Sequence, residues 1–371
     1  MLRSSIQSLL IPLLSVALAI AAGSLFMWGA GYDAFAAYGG MLSGSLGSPT
    51  AIGRTLLNAV PFVFAGLSVA FAFKGGLFNI GGEGQLFLGA VTSAWIGIAL
   101  VGVPGPVLMP LALLAGGLAG ALWGALAGAL KAYTGAHEVI TTIMLNYIAI
   151  VITGWLVSQG SRSQGIAPGP LRDPNPANIV PRTAKVLEEA RLPALFSLGD
   201  ETIHAGLILA ILAVIAIAFI VWRTTFGFEV RTVGQNPSAA RYAGINVPRV
   251  TILTMALAGG LAGLAGSVET LGRNFYFAPN FNVGYGFDSI AIALLGGNHP
   301  VGVGLAAVLF GGMDAGGTDM QFASRVPTEI LQVVQALVLM FVAAPAILRY
   351  LFRLRVRSED TTTFSAGWGK R

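Results

Sequence analysis

The chain contains no cysteine, which excludes disulfide bonds, thiolate catalysis and cysteine-based metal sites. Charged residues make up only 10% of the 371 residues, whereas ordinary globular proteins carry about 25%. The three histidines, His137, His204 and His299, lie far apart and show no metal-ligand spacing. We therefore expect the protein to bind neither a metal nor a cofactor.

Apolar sequence is abundant, with 55% hydrophobic residues and a mean hydropathy of +0.77. This composition predicts an all-α polytopic membrane protein. Counted at about 20 residues per span, the apolar runs predict roughly ten transmembrane helices. The first is expected to be a retained span and not a removed signal peptide. The eighth and ninth runs are short and predict a re-entrant pair or half-helices. The runs lie near 9–30, 55–73, 84–103, 107–130, 139–158, 203–222, 250–271, 284–297, 300–317 and 327–348.

Lysine and arginine are concentrated in cytoplasmic loops of membrane proteins. Their distribution here favours both termini in the cytoplasm. A transmembrane domain of residues 1–348 is then followed by a basic cytoplasmic tail, 349–371. The proline-rich segment 159–202 lies outside, where it is either a lid or docking surface or an irregular connector. The segment 223–249 lies inside.

The most informative stretch is a polar, glycine-rich break, Phe73–Gln85, between two apolar runs. Irregular backbone at membrane depth survives only where it lines a cavity or is buried in protein, and broken helices hold the substrate sites of many transporters. Asn79, Glu83 and Gln85 offer the amide and carboxylate groups that a neutral polar ligand needs. The alternative is hydrogen bonding between helices. Lys74 either pairs with Glu83 or lies at the inner surface.

Other polar groups at depth must face a partner or water because their insertion in lipid is costly. They include Asn146, Asp288 and Asp314. His137 and Glu138 precede the fifth run, where a gate and simple capping are both possible. Glycines recur at every fourth position and predict close packing of helices. These glycines are Gly116, Gly120, Gly124 and Gly128 in the fourth run, and Gly259 and Gly263 in the seventh.

A short helix is predicted inside the cell at Ser238–Ile245, flanked by Pro237 and Pro248 and ended by Gly244. A small-residue helix between two spans has no role in lipid. It is suited to a groove on another protein, and the alternative is a solvated loop helix.

Four motifs occur in a fixed order and together resemble one family. They lie at residues 78–85, 137–147, 231–245 and 284–297. The chain resembles the permease subunit of bacterial ABC importers of the branched-chain amino acid and simple-sugar superfamily, and most of all its nucleoside branch. The resemblance runs from about residue 50 to 345. The long external loop is similar to that of the larger of that branch's two paired permeases.

The resemblance implies a multi-pass permease with pseudo-symmetric halves in the bacterial inner membrane. Its partners would be a second permease in a heterodimer, ATP-binding cassette subunits and an external substrate-binding lipoprotein. The chain has no G-x-x-x-x-G-K-[ST] motif, so it is not the ATPase and we expect no enzymatic activity. The residues that match the ATPase-docking loop of such permeases are Arg231, Gly234, Asn236, Ala239, Ala240, Gly244 and Ile245.

The predicted function is import of a nucleoside or related nucleobase compound by alternating access. A simple sugar is the alternative substrate. An ion-driven secondary transporter with Glu83 or Asp288 as proton carrier is the alternative class. The aromatic residues around the start of the eighth run form an interfacial belt, or Tyr285 or Phe287 among them contacts a nucleobase ring; the cluster consists of Phe275, Tyr276, Phe277, Phe281, Tyr285 and Phe287. The predicted substrate path consists of Asn79, Glu83, Gln85, Asn146, Tyr285, Phe287 and Asp288.

Overall fold

The computed structural model describes residues 2–160, 165, 167–175, 177–279, 284–327 and 329–343, with side chains from residue 14 onward. The predicted tail 349–371 and Phe281 lie outside the described residues. A two-stranded antiparallel hairpin is formed by β1 (Ala194–Leu198) and β2 (Glu201–His204). The described helices are α1 (Leu2–Gly29), α2 (Ala34–Leu46), α3 (Pro49–Lys74), α4 (Gly82–Ala99), α5 (Gly105–Thr134), α6 (Glu138–Leu156), α7 (Gly206–Arg223), α8 (Thr225–Gln235), α9 (Pro237–Tyr242), α10 (Val247–Glu269), α11 (Tyr285–Leu295), α12 (Pro300–Ser324) and α13 (Glu329–Ala343).

Six helices in the described part of the chain are long and apolar enough to cross a membrane. They are α3, α5, α6, α7, α12 and α10 with its π-helical extension, Thr270–Asn274. Three shorter apolar helices lie at Leu14–Gly29, in α11 and at Glu329–Val342. The predicted class, an all-α membrane protein, is confirmed, while the count of ten spans stays a prediction.

Helix α3 is the central helix of the fold. Its side chains are buried without interruption from Leu57 to Ala72, and it contacts α12, α10, α11 and α7. Ser48 caps its first turn by accepting a hydrogen bond from Ala51 N–H at 3.1 Å. Because α3 is enclosed by protein, the break that follows it is held inside the bundle.

The glycine repeats of α5 and α10 face each other, which confirms the predicted close packing. A methyl group built on Gly120 would overlap the Gly259 carbonyl oxygen, and one on Gly124 would lie 3.0 Å from the Gly259 Cα. Likewise, a methyl group on Gly263 would lie 3.1 Å from the Gly120 Cα. The two backbones approach so closely that only glycine fits along this contact.

Two features of the fold differ from the sequence prediction. The ninth run is not a short half-helix, because α12 continues for 25 residues to Ser324. Helix α2 was not predicted, because its 13 residues are too few to span the membrane. It lies along α12, where Gly40 and Gly44 approach the Asp319 backbone and side chain.

The described part of the segment 159–202, which is predicted to lie outside, forms an ordered cap. Its backbone bonds to the turn after α10: Thr183 N–H donates to Phe277 O at 2.9 Å, and Val186 N–H donates to Phe275 O at 2.8 Å. The hairpin contacts the start of α3, where Arg54 Nε lies 3.4 Å from Glu201 Oε1. The described part of the cap is thus fixed to the rest of the protein by hydrogen bonds and an ion pair, which an irregular connector would not need. Its use as a lid or docking surface stays a prediction.

Candidate functional site

The break after α3 folds back into the bundle. Gly76 adopts a φ of 68°, which favours glycine. Leu77 N–H then donates to Ala72 O at 3.0 Å. Returning beside α3, the chain places the Asn79 amide 3.1 Å from Ser68 Oγ, well inside the helix end. The break is therefore a re-entrant segment buried in protein; the sequence predicts its burial but not the return of the chain beside α3.

Asn79 and Gln85 form a closed amide pair at the turn into α4. Asn79 Nδ2 donates to Gln85 Oε1 at 2.8 Å, and Gln85 Nε2 donates to Asn79 Oδ1 at 3.0 Å. Both side chains are about 1% exposed. Since two buried amides satisfy each other, the pair fixes the shape of the break without a charge.

Asn146 binds the same turn from α6. Its Oδ1 accepts from Gly84 N–H and its Nδ2 donates to Ile80 O, both at 2.8 Å. A methyl group built on Gly84 would lie 2.9 Å from the Asn146 Cα, so α4 and α6 are in close contact here. Asn146 thus satisfies backbone groups that the break leaves unpaired.

Glu83 joins the break to α11. Its Oε1 accepts from Gly284 N–H at 2.8 Å and its Oε2 accepts from Gly286 N–H at 2.7 Å. These are among the unpaired N–H groups at the start of a helix, where a carboxylate is favourable. With 11 residues, α11 is only about 16 Å long, so it is a half-helix, as predicted.

The predicted substrate-path residues are thus brought together where the break, α6 and α11 meet. In α11, Tyr285 packs on Phe62 with ring centroids 4.4 Å apart, whereas the Phe287 side chain is 47% exposed. Asp288 is half-buried, and the charges of Glu83 and Asp314 act on it. A carboxylate oxygen has two lone pairs, so Glu83 can accept further hydrogen bonds beyond those to α11.

A second polar network lies beside this site. Of its residues, the sequence analysis had singled out only Asp314. Arg273 Nη1 donates to Asn58 Oδ1 at 2.6 Å, and Asn58 Nδ2 donates to Asp314 Oδ2 at 2.9 Å. Arg273 Nη1 also lies 3.8 Å from Glu269 Oε1. The sequence signal was the pair Glu269 and Arg273, four residues apart at the end of an apolar run. The network joins α3, α10 and α12.

The aromatic cluster packs mainly against protein. Phe277 is fully buried and meets Phe87 edge-on at 5.9 Å. Arg182 lies over Tyr276 at 4.9 Å, and Arg191 lies over Phe275 at 4.7 Å. An interfacial belt is therefore wrong for Phe277, whose backbone N–H and carbonyl group bond to Thr183 of the cap.

Lys74 lies over the Trp222 ring, with its Nζ 5.6 Å from the ring centroid, and it forms no ion pair with Glu83 within the described residues. The structure therefore does not support the pairing of Lys74 with Glu83, and the position at the inner surface stays a prediction. Glu138 Oε2 lies 2.8 Å from Lys131 Nζ, so it ties α6 to the end of α5. No side-chain hydrogen bond caps the start of α6, so the structure does not support capping by His137 or Glu138, and a gate at this position stays a prediction.

The predicted docking segment forms α8 and α9. Asn236 caps α9 by accepting from Ala239 N–H at 3.0 Å, and Gly244, at φ 81°, follows the helix end. Ala239 and Gly244 are exposed, and Tyr242 is 94% exposed. Ala240 is fully buried in the protein's own core, so its side chain supports α9 from beneath and is not available to a partner.

Comparison with known proteins identifies the family. The model of the branched-chain amino acid transport system permease component matches residues 51–343. The chain belongs to this permease family. The permease is 41% identical to the guanosine ABC transporter permease protein NupP of Bacillus subtilis, over 93% of this chain and 96% of that one. It is 35% identical to the nucleoside ABC transporter permease protein NupB of Lactococcus lactis, over 94% of each chain.

A third relative is named for a sugar and not for a nucleoside. The permease is 37% identical to the glucose ABC transporter permease protein TsgB13 of Haloferax volcanii, over 89% of this chain and 86% of that one. No solved structure matches the chain. Membership in this family identifies the chain as a multi-pass transport subunit and not an enzyme. The region that matches the family model includes the break, α8, α9 and α11.

The cap of the permease ends at strand β2 with a buried histidine. His204 is 4% exposed and its Nδ1 accepts from Gly206 N–H at 3.1 Å. Burial, aided by the charge of Arg273, lowers the pKa of His204 from 6.5 to about 4. The folded cap therefore holds His204 neutral at pH values where the unfolded chain binds a proton.

Acidification is expected to loosen this cap. Above pH 6.5, His204 is neutral in both the folded and the unfolded cap, so its titration costs no stability. As the pH falls from 6.5 towards 4, the unfolded chain binds a proton that the folded cap does not. The free energy of unfolding then decreases by about 1.4 kcal/mol per pH unit and by about 3 kcal/mol in all. Protease cleavage of the segment between α6 and α7, measured from pH 7 to pH 4.5, should accelerate accordingly. In His204→Gln this dependence should be much weaker, and an unchanged pH profile would show that His204 is not its source.

Proposed function

We propose that the permease imports nucleosides or related nucleobase compounds by alternating access, driven by ATP hydrolysis in a partner subunit. The observation that carries this proposal is the 41% identity to a guanosine permease protein along nearly the whole length of both chains. The NupB relative, which is named for nucleosides, supports the same cargo. The glucose permease relative keeps a simple sugar as the second candidate.

The cargo would pass the region where the break meets α11. A nucleoside presents ring nitrogens, carbonyls and hydroxyls, which amide and carboxylate groups can satisfy. The lone pairs that Glu83 retains, the half-buried Asp288 and the exposed Phe287 ring supply such contacts. Stacking on an aromatic face tolerates different bases. Asn79, Gln85 and Asn146 would line this path as its rigid wall, because their amides already bond within the protein.

The partners would bind at opposite ends. We assign the exposed face of α9 to the ATP-binding cassette subunit, and the outer end, with the cap on residues 182–204, to an external substrate-binding lipoprotein. The exposed apolar side chains of α6 and α7 would face lipid and a second, non-identical permease. The protein would lie in the bacterial inner membrane with both termini in the cytoplasm, in keeping with its lysine and arginine distribution.

Competition for uptake tests the cargo. In cells that express the complete importer, uptake of radiolabelled guanosine should depend on this chain. Excess unlabelled adenosine, inosine or uridine should compete, since broad nucleoside binding needs few base-specific contacts. Glucose and leucine should not compete at the same excess. If glucose abolishes guanosine uptake, or if labelled glucose enters through this chain instead, the sugar alternative replaces the proposal.

A further inference from the structure

The break and the docking segment are in direct backbone contact. Gly234, in the last turn of α8, lies against the end of α3: a methyl group built on it would overlap the Lys74 carbonyl oxygen and would lie 2.8 Å from Gly75 C. From the other side, a methyl group on Gly76 would lie 2.9 Å from Gly234 O. No side chain separates α8 from the first residues of the break.

A tryptophan holds the same two elements together. Arg231 of α8 lies over the Trp222 ring at 4.7 Å, and Lys74 lies over that ring at 5.6 Å. His299, between α11 and α12, stacks on the ring at 6.5 Å with an interplanar angle of 28°. Cation–π contacts of this kind are worth about 0.5–2 kcal/mol each. Among the residues that the structure describes, no carboxylate forms an ion pair with Lys74 or Arg231.

The docking segment is thereby divided into two faces. Ala239, Tyr242 and Gly244 are exposed at α9. Arg231 and Gly234 instead contact the end of α3 and α7. Both faces are joined by a single residue, Asn236, which follows α8 and caps α9. A rigid displacement of α9 would therefore move Gly234 against the break.

We propose that the contact of Gly234 with Lys74–Gly76, held by Trp222, transmits movement of the docked ATPase to the re-entrant break. This inference rests on the proposed docking at α9. Gly234, Arg231 and Trp222 act as positioning residues: they touch neither cargo nor ATP, and they determine whether the break follows α9. From Gly76 the chain runs within three residues to Asn79 and the amide pair, so a displacement at Gly234 reaches the site directly.

Gly234→Ala tests the proposal, because its methyl group must push α8 away from the break while leaving the exposed face of α9 unchanged. The variant should still co-purify with the ATPase and retain basal ATP hydrolysis. Guanosine uptake should fall by at least about tenfold. Gly39→Ala in α2, where a methyl group meets nothing within 4 Å, is the matched control and should transport normally.

A reporter in the break separates transmission from simple misfolding. The chain is free of cysteine, so Ile80→Cys provides a single labelling site in the half-buried part of the break. In a transport-competent Ile80→Cys complex, ATP should change the labelling rate. With Gly234→Ala added, the rate should not respond to ATP. A normal ATP response or normal uptake in Gly234→Ala would overturn the proposal.

Arg231→Gln decides the question if Gly234→Ala fails to insert. It removes the cation over Trp222 without adding bulk, and it should reduce uptake and the ATP response at Ile80→Cys while the ATPase stays bound. Arg231→Lys, which keeps the charge, should restore both. Full uptake in Arg231→Gln would overturn the role of the Trp222 contact. Loss of ATPase binding in Ala239→Trp checks the docking at α9 separately, so the two proposals can fail independently.

Discussion

Replacing Glu83 with glutamine is expected to reduce nucleoside uptake at least about tenfold at matched membrane levels, the equivalent of about 1.4 kcal/mol. The carboxylate accepts from the Gly284 and Gly286 N–H groups at 2.8 and 2.7 Å. A hydrogen bond to a charged group contributes about 1.5–3 kcal/mol. Glutamine has one carbonyl oxygen, so its amide group would face an N–H that it cannot accept from. One of the two hydrogen bonds that attach the start of α11 to α4 would therefore be lost.

The decisive measurement is uptake of labelled guanosine by cells that carry Glu83→Gln. Glu329→Gln is the matched control, because Glu329 is an exposed carboxylate at the start of α13, away from the break. Asn79→Ala should cause a loss of similar size, since it leaves the buried Gln85 amide without its partner. Cargo binding to the lipoprotein and assembly with the ATPase should survive. Unchanged uptake in both variants would show that the break tolerates the loss of these hydrogen bonds.

The second large effect is expected for Ala239→Trp on α9. Ala239 is exposed, and its small side chain would allow the helix to enter a tight groove on the ATPase. An indole there overfills the contact, and overpacking costs about 1–3 kcal/mol, occasionally more. ATPase co-purification and ATP-driven uptake should both fall at least about tenfold. Ala239 makes no core contact, so insertion of the permease should be unaffected.

Two other substitutions make this test specific. Ala239→Ser is small enough to fit the same groove and should transport normally. Ala240→Trp is unsuitable, because Ala240 is fully buried in the permease and the indole would disrupt its own core. If Ala239→Trp binds the ATPase as tightly as the unsubstituted chain, the partner contacts another surface and the docking assignment at α9 is wrong.

Composition and pattern were sufficient to predict the elements that lipid dictates. The all-α membrane class, the glycine contact between α5 and α10, the burial of the break and the half-helix α11 followed from run length, glycine spacing and the cost of unpaired backbone in lipid. The short helix α9 followed from Pro237 and Gly244, which mark its two ends. These features depend on local sequence.

Features that depend on tertiary contact were not predictable. Helix α2 has no apolar run of spanning length, and only its contact with α12 explains it. The partners of Glu83 lie 201 and 203 residues away, so no local pattern could reveal them. The Asn58–Arg273–Asp314 network and the burial of Ala240 are likewise set by packing of distant segments.

The central claim is ATP-driven import of nucleosides, and the most direct measurement is guanosine uptake into proteoliposomes that contain the permease, its ATPase and its partner permease. With the binding protein and cargo outside, vesicles loaded with ATP and Mg²⁺ should accumulate labelled guanosine. Vesicles loaded with a non-hydrolysable ATP analogue should not, whatever ion gradient is imposed. Accumulation driven by a proton or sodium gradient without ATP would contradict the account and favour a secondary transporter.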